Sequence, residues 1–272
     1  MVQLRALDEQ DCDWFEVIVV DDASTDNTVA AVRSSTVLED RLRIIELNEP
    51  VGPAAARNRA AREARGGWLL FCDSDDEVHT SWVRAMCVAL GACELVTGLL
   101  DESILNDASL RSPTRGPLIR PAIFDGFGFL PFAMTANLGV TAELFSELGG
   151  FDENFRSAGG EDVDFCWRAQ LNGVSLELSE EAIVNYRLQQ TLAASAVQSF
   201  RPARSVPNLF AKYRDLGMAR RTLRQTLLSW LWLVCKSWYL LMGAAARGRW
   251  VRHLAVNLGR LAGSVQARVL YI

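Results

Sequence analysis

Asp73, Asp75 and Asp76 stand within four positions of one another in FCDSDDEV (71–78), and their carboxylates repel at that range. Something must offset the repulsion. Two readings are open: a divalent cation, whose hard charge suits carboxylate oxygens, or the water around a solvated acidic loop. Two more acidic pairs stand out, Asp21-Asp22 in VIVVDDAST and Glu161-Asp162 in GGEDVDF. The only histidines are His79 and His253. That argues against a Ser-His-Asp triad or an H-E-x-x-H zinc site, each of which needs His within reach of specific partners. Chemistry in this chain must run largely on carboxylates.

The elements that would position these groups can be read from periodicity. FEVIVV (15–20), RLRIIELN (41–48), GWLLFCD (67–73) and ELVTGLL (94–100) read as strands. TVAAVRSS, AAARNRAAREA (54–64, after Gly52-Pro53) and SWVRAMCVALGA (81–92) have helical spacing. This alternation predicts an α/β layer with a mixed, mostly parallel sheet and helices on both faces. In such sheets ligands bind outside the carboxyl ends of the strands. Asp21-Asp22 and the 73–76 trio both fall at such ends, on one edge. Residues 101–135, with Pro113, Pro117, Pro121, Pro131 and the Gly-rich DGFGFLPF, predict an irregular substrate-facing loop. After a strand at NLGV, a helix is expected from about Ala142 to Leu148. A second follows within 159–174, with Glu161 and Asp162 at its amino end, where free N–H groups and the helix dipole favour anions.

With 272 residues and 50% hydrophobic content, the chain can bury one large domain, or a domain plus an appendage. Six scattered cysteines without a C-x-x-C pair, and no charged-then-apolar leader, predict a reduced, cytosolic protein. The charge divides sharply. Residues 1–200 carry 15 Lys and Arg against 32 Asp and Glu, a charge of −17, whereas residues 201–272 carry 13 against Asp215 alone, a charge of +12. An acidic body over 1–200 and a basic helical extension over 201–272 are expected, the extension facing an anionic partner or docking on the body. No nucleic-acid module accompanies the charge, so nucleic acid is not the expected partner. Within the extension, TLRQTLLSWLWLVCKSWYLLMGAAA (222–246) is apolar, with Lys236 near its middle. Three placements are open: a helix lying in an anionic membrane surface, helices packed on the body or on a second copy, or a span that would carry a costly central Lys.

Taken in order, VIVVDDASTDNT, GPAAARNRAAREARGGWLLFCDSDD, LGGFDENF and GGEDVDFCWRAQLNGV resemble the successive motifs of the family 2 glycosyltransferases of the GT-A fold, over roughly residues 4–190. The resemblance implies inverting transfer of a sugar from a nucleotide-diphosphate sugar to a hydroxyl of a glycan or lipid-linked acceptor. By similarity, Asp75 or Asp76 contacts a Mg or Mn ion, and Asp73 lies near the ion or the ribose. Asp21 and Asp22 belong to the nucleotide site, with Asp22 accepting from the base, and Arg57 and Asn58 hold the loop or the diphosphate. Asp162 resembles the catalytic base, and Glu161 orients the acceptor or raises that base's pKa. Trp167 and Arg168 are expected to serve packing and a surface or diphosphate contact. The protein would work on the cytoplasmic side, peripheral on the inner face of the cell membrane. A nucleotidyltransferase with a related nucleotide-binding layer, or a non-catalytic membrane-associated relative, are the alternative readings.

The chain departs from the family pattern at two places. Members ordinarily begin with an apolar strand followed by Pro and Asn, whereas MVQLRALDEQ matches the latter part of the next helix, so a first strand is expected to be missing. In AIVNYR (182–187), Asn185 stands where many relatives place a metal-binding His.

Overall fold

The computed structural model describes residues 1–107, 117–156 and 159–271, without the side chain of Glu39. Helix α1 (Val2–Asp8) opens the chain and precedes β1 (Val17–Asp21), whose β-branched run suits an extended backbone. After α2 (Thr28–Arg33), β2 (Leu42–Glu46) pairs with β1 in parallel, Val17 opposite Leu42. Among the described residues these two strands form a sheet of their own. They share a core with the rest: Val17, Val19 and Ile44 pack with Leu4, Leu7, Leu70 and Cys72.

Pro53, at the first turn, opens α3 (Pro53–Glu63), where a missing N–H costs nothing. Then come β3 (Trp68–Phe71), β4 (Glu77–Val78), α4 (Trp82–Leu90) and β5 (Leu95–Asp101). The segment expected to be irregular carries β6 (Ile119–Pro121) and a small hairpin of β7 (Ile123–Phe124) with β8 (Phe132–Ala133). Residues 108–116, Pro113 among them, lie outside the described residues. Next are β9 (Leu138–Thr141), α5 (Ala142–Glu147), α6 (Glu161–Leu171) and β10 (Glu177–Asn185).

The larger sheet has the order β3-β9-β5-β10-β4, with β6 on β5. It is mixed, as expected, with a smaller parallel share than expected. β5 and β10 pair in parallel, but β9 runs antiparallel to both β3 and β5. β3 and β5 do point the same way, as a helical crossover through α4 requires. The later strand β9 enters between them from the opposite direction. Periodicity within one segment carries no information about such an insertion. Side chains alternate between two cores as the pleat dictates: Val96 and Leu100 join α1 and α4 on one face, and Leu95 joins α5 and α6 on the other. Helices thus cover both faces.

The carboxyl-terminal part is helical: α7 (Leu192–Tyr213), α8 (Leu223–Cys235) and α9 (Ala244–Ala267). The division expected between 200 and 201 falls inside α7, because Ala203, Val206, Leu209, Phe210 and Tyr213 continue its buried stripe. That stripe packs on Val163 and Trp167 of α6, so α7 belongs to the body as much as to the extension. Lys236 caps α8 after 13 residues, and no helix among the described residues is long and apolar enough to cross a membrane.

Candidate active site

The strand run ending at Phe71 delivers the aspartates of 73–76 into a tight turn, closed by Asp76 N–H donating to the Asp73 carbonyl at 3.4 Å. One carboxylate oxygen from each of Asp73, Asp75 and Asp76 lies within 4.8 Å of the others. Asp76 is buried. Its Oδ1 accepts the Arg187 N–H at 2.7 Å, and its Oδ2 is buried without a partner. Arg187 also donates from Nε to the Asp75 carbonyl at 2.7 Å, tying β10 to the turn. Burial, aided by Asp73, raises the Asp75 carboxyl. Burial, with Asp73 and Asp75 adding to it against the Arg187 N–H, pushes Asp76 up to about 8. Three hard oxygen donors and one orphaned buried oxygen fit a Mg or Mn ion.

This has a consequence for pH. A carboxyl whose folded pKa lies near 8 against an ordinary 3.8 favours folding while protonated, and that contribution is lost as pH rises through about 8. The metal-free protein should therefore lose thermal stability from Asp76 between mildly acidic pH and pH near 8. Added Mn2+, which takes the ionised form, should raise the unfolding temperature more at the alkaline end. Scanning fluorimetry with and without MnCl2 tests this. A metal-induced shift that shrinks toward pH 8 would contradict it.

At the end of β1, Asp22 accepts Val51 N–H at 2.7 Å on Oδ1 and Gly52 N–H at 2.9 Å on Oδ2, which staples the loop after β2 to the loop after β1. Gly52 has φ of 91°, and a Cβ there would meet the Arg156 carbonyl oxygen at 2.4 Å, so only glycine fits. Asp21 accepts Ser24 N–H at 3.0 Å, while its Oδ1 is buried and unpartnered. In the loop after β1 Ala23 is held at φ of 57°. A left-handed backbone costs a side chain about 1–2 kcal/mol. Ala23→Gly should stabilise the protein by about 1 kcal/mol in urea denaturation, net of glycine's greater unfolded-state entropy.

The third group sits at the start of α6, after Gly159 and Gly160 at φ of 102° and 115°. A Cβ on either would strike α7, Pro202 in one case and Ser205 in the other, at 2.7 Å. Glu161 and Asp162 are both buried. Glu161 Oε2 accepts Gly159 N–H at 2.8 Å, and its Oε1 meets Arg57 at 2.9 Å. The other end of the same guanidinium meets Asp73 Oδ1 at 2.9 Å. Arg57 therefore joins the aspartate turn to the helix start. Asp162 Oδ1 accepts Val163 N–H at 2.9 Å and Gly160 N–H at 3.2 Å, and its Oδ2 takes no hydrogen bond among the described residues. Burial raises both carboxyls, and Asp162 repels Glu161, while Arg57 opposes the rise in each.

The structure thus brings Asp73, Arg57, Glu161 and Asp162 into one connected set, beside Asp75 and Asp76. Asn58 goes elsewhere. Its Nδ2 donates to the Phe151 carbonyl and to Glu153, and its Oδ1 accepts Phe151 N–H, so it holds the turn after α5. Asn185 Oδ1 is engaged by His79 Nε2 at 2.9 Å. Trp167 is fully buried, and Arg168 ties Asp164 to the Leu148 and Gly150 carbonyls, as packing groups would. Sequence reasoning missed three contributors. Arg187 is signalled only by following the β10 strand. Lys212 and Tyr213 of α7 meet the buried Asp164 at 2.6 and 2.7 Å and hold α6 in place.

The mixed sheet sandwiched by helices, with carboxylates gathered at one edge, has the GT-A fold of solved structures. The mannosyltransferase PcManGT from Pyrobaculum calidifontis, in complex with GDP-Man and Mn2+, superposes with a TM-score of 0.61 at 20% identity, covering 97% of this chain and 68% of that one. S. aureus TarS 1-349 in complex with UDP gives 0.52 at 19% identity, over 100% and 88%. Two family profiles match overlapping stretches, Glycosyl transferase family 2 over residues 4–127 and Glycosyl transferase family group 2 over residues 122–262. The chain belongs to the family 2 glycosyltransferases. It is 31% identical over 202 residues to a validoxylamine A glucosyltransferase of Streptomyces hygroscopicus, covering 62% of this chain and 47% of that protein. Over 107 residues it is 37% identical to the succinoglycan biosynthesis protein ExoO of Rhizobium meliloti, covering 39% and 30%. The chain spans about half the length, or less, of these curated relatives.

Proposed function

We propose that this chain transfers a sugar from a nucleotide-diphosphate sugar to a hydroxyl of a glycan or lipid-linked acceptor, with inversion at the anomeric carbon. The observation that carries this reading is the Arg57 bridge, which ties Asp73 of the carboxylate trio to Glu161, the neighbour of Asp162, in one frame. GDP-Man bound to the similarly folded PcManGT supports the donor class.

The nucleotide would lie along the edge formed by Asp21, Asp22 and Asp73, where the unpartnered Asp21 Oδ1 offers an acceptor to a donor group of the nucleotide. A Mg or Mn ion held by Asp73, Asp75 and Asp76 would supply Lewis-acid charge to the departing β-phosphate oxygen. Asp162 keeps Oδ2 free of protein donors, and burial raises its pKa, which suits a group that must accept a proton. As the acceptor oxygen bonds to the anomeric carbon, its proton passes to Asp162 Oδ2, and the diphosphate leaves with the electron pair from the opposite face. One displacement inverts the centre. Glu161, tied to Arg57 and Gly159, is fixed and serves to orient. The site works at the inner face of the membrane, where sugar nucleotides and lipid-linked acceptors meet.

Purified protein should release nucleoside diphosphate from at least one of UDP-glucose, UDP-GlcNAc and GDP-mannose, only when Mg2+ or Mn2+ is present and faster when an acceptor is added. Release of pyrophosphate instead would favour nucleotidyl transfer. Nucleotide binding without turnover would favour a non-catalytic relative.

A further inference from the structure

Helix α8 is amphipathic in the inverted sense. Two polar residues of its middle face the protein: Ser229 donates to Asn257 Oδ1 of α9 at 2.8 Å and meets His253 Nε2 at 2.9 Å, and Thr226 is buried. Apart from the buried Leu233 and the half-buried Trp230 and Trp232, its apolar residues face outward. Leu223, Leu227, Leu231 and Val234 recur at helical spacing of four, four and three, and Val234 is 71% exposed. The turn that follows adds Trp238 and Leu241, the latter 92% exposed. A helix in water should show the reverse arrangement. The outward face is flanked by positive charge, with Arg220, Arg221 and Arg224 at one end and Lys236 at the other, where its Nζ lies 5.5 Å from the Trp238 ring centroid.

We propose that α8 and the turn after it form an in-plane anchor that buries its leucine face in the headgroup region of an anionic lipid bilayer. The charge of residues 201–272, 13 Lys and Arg against one acid, matches that partner and opposes a second copy of the same patch. A span is excluded for α8 by its 13 residues. The anchor is rigidly joined to the catalytic body. α9 approaches α7 so closely that a Cβ on Gly263 would stand 2.1 Å from the Arg204 carbonyl oxygen, and α7 packs on α6. Insertion of α8 therefore fixes how Asp162 is presented to the surface. As the partner of the proposed transferase, the bilayer rests on that reading for its purpose, while the binding can be measured apart from it.

The test is cosedimentation of the full chain with phosphatidylcholine vesicles containing about 30% phosphatidylglycerol, and with pure phosphatidylcholine, at low and high salt. Binding should need the anionic lipid and weaken with salt. Leu227→Glu/Leu231→Glu should lower the partition coefficient at least about tenfold. Arg220→Gln/Arg224→Gln, which keeps the apolar face, should remove much of the salt-sensitive part and serves if the first pair does not fold. Unfolding temperature and calorimetric binding of UDP or GDP with Mn2+ should stay unchanged in both. Equal binding to neutral vesicles, or undiminished binding by both pairs, would overturn the anchor. So would a dimer in light scattering that Leu227→Glu/Leu231→Glu turns into monomer while vesicle binding persists. Intact vesicle binding by a protein that binds no nucleotide would sink the transferase reading and leave the anchor standing.

Discussion

Asp162→Asn is expected to lower turnover by about 10²–10⁴-fold, the range that a positioned proton acceptor contributes. The substitution is nearly isosteric, and the Asn carbonyl oxygen can still accept the Val163 and Gly160 N–H groups that now hold Oδ1. What it removes is the free, basic Oδ2. Binding of the nucleoside diphosphate with Mn2+ should therefore persist, so the loss should fall on kcat. Glu161→Gln should cost less turnover, because Glu161 is committed to Arg57 and Gly159 and the amide retains a carbonyl for Arg57. Nucleoside-diphosphate release kinetics with parallel calorimetry separates the two. Near-normal kcat in Asp162→Asn would remove it from the role of base, and a larger loss in Glu161→Gln would move that role one residue back.

The second large effect concerns Arg57. Glu161 is almost fully buried, with its side chain 2% exposed, so removing the guanidinium leaves a carboxylate without its counter-charge. Breaking a buried pair from one side typically costs about 3–5 kcal/mol, and the contact to the half-buried Asp73 is lost with it. Arg57→Ala should thus lower the free energy of unfolding in urea by about that amount. Arg57→Lys should recover little, because one ammonium cannot span two carboxylates as a planar fork does. The sign of the pH dependence follows from Glu161. Its folded pKa is already raised, and loss of Arg57 raises it further, so the variant suffers little where Glu161 is protonated and progressively more as pH rises toward neutrality. Adding Glu161→Gln to Arg57→Ala should return part of the stability, and a double-mutant cycle measures the coupling. Equal losses at pH 5 and pH 8, with no rescue, would show that Arg57 matters through packing alone.

Much of this was legible in the chain because it is local. Asp21 and Asp22 close a β-branched run, Asp73, Asp75 and Asp76 follow WLLFC, and Glu161 and Asp162 open a helix with an amphipathic stripe. Each placement depends on a few neighbours, whose periodicity decides which way the backbone runs and where it stops. Asn58 was less legible. It sits beside Arg57 on α3, yet one side chain points to the aspartate turn and the other to the Phe151 turn. Adjacent helical positions diverge by about 100°, and nothing in RNRAARE says which of the two faces the site.

The same division holds for the whole molecule. The sequence by itself determined the main strands and helices, the acidic edge and the charge contrast between body and extension, since these arise from residue identity and short-range spacing. The tertiary structure alone decided that β9 enters between β3 and β5, that α7 runs through the expected division and braces α6 through Asp164, and that Arg57 spans 16 residues to Asp73 and 104 to Glu161. It also decided that Leu223, Leu227, Leu228 and Leu231 of α8, which a packed helix would bury, face outward while Ser229 faces α9. Such contacts join groups far apart in the chain, and their free energy exists only once packing has brought the surfaces together.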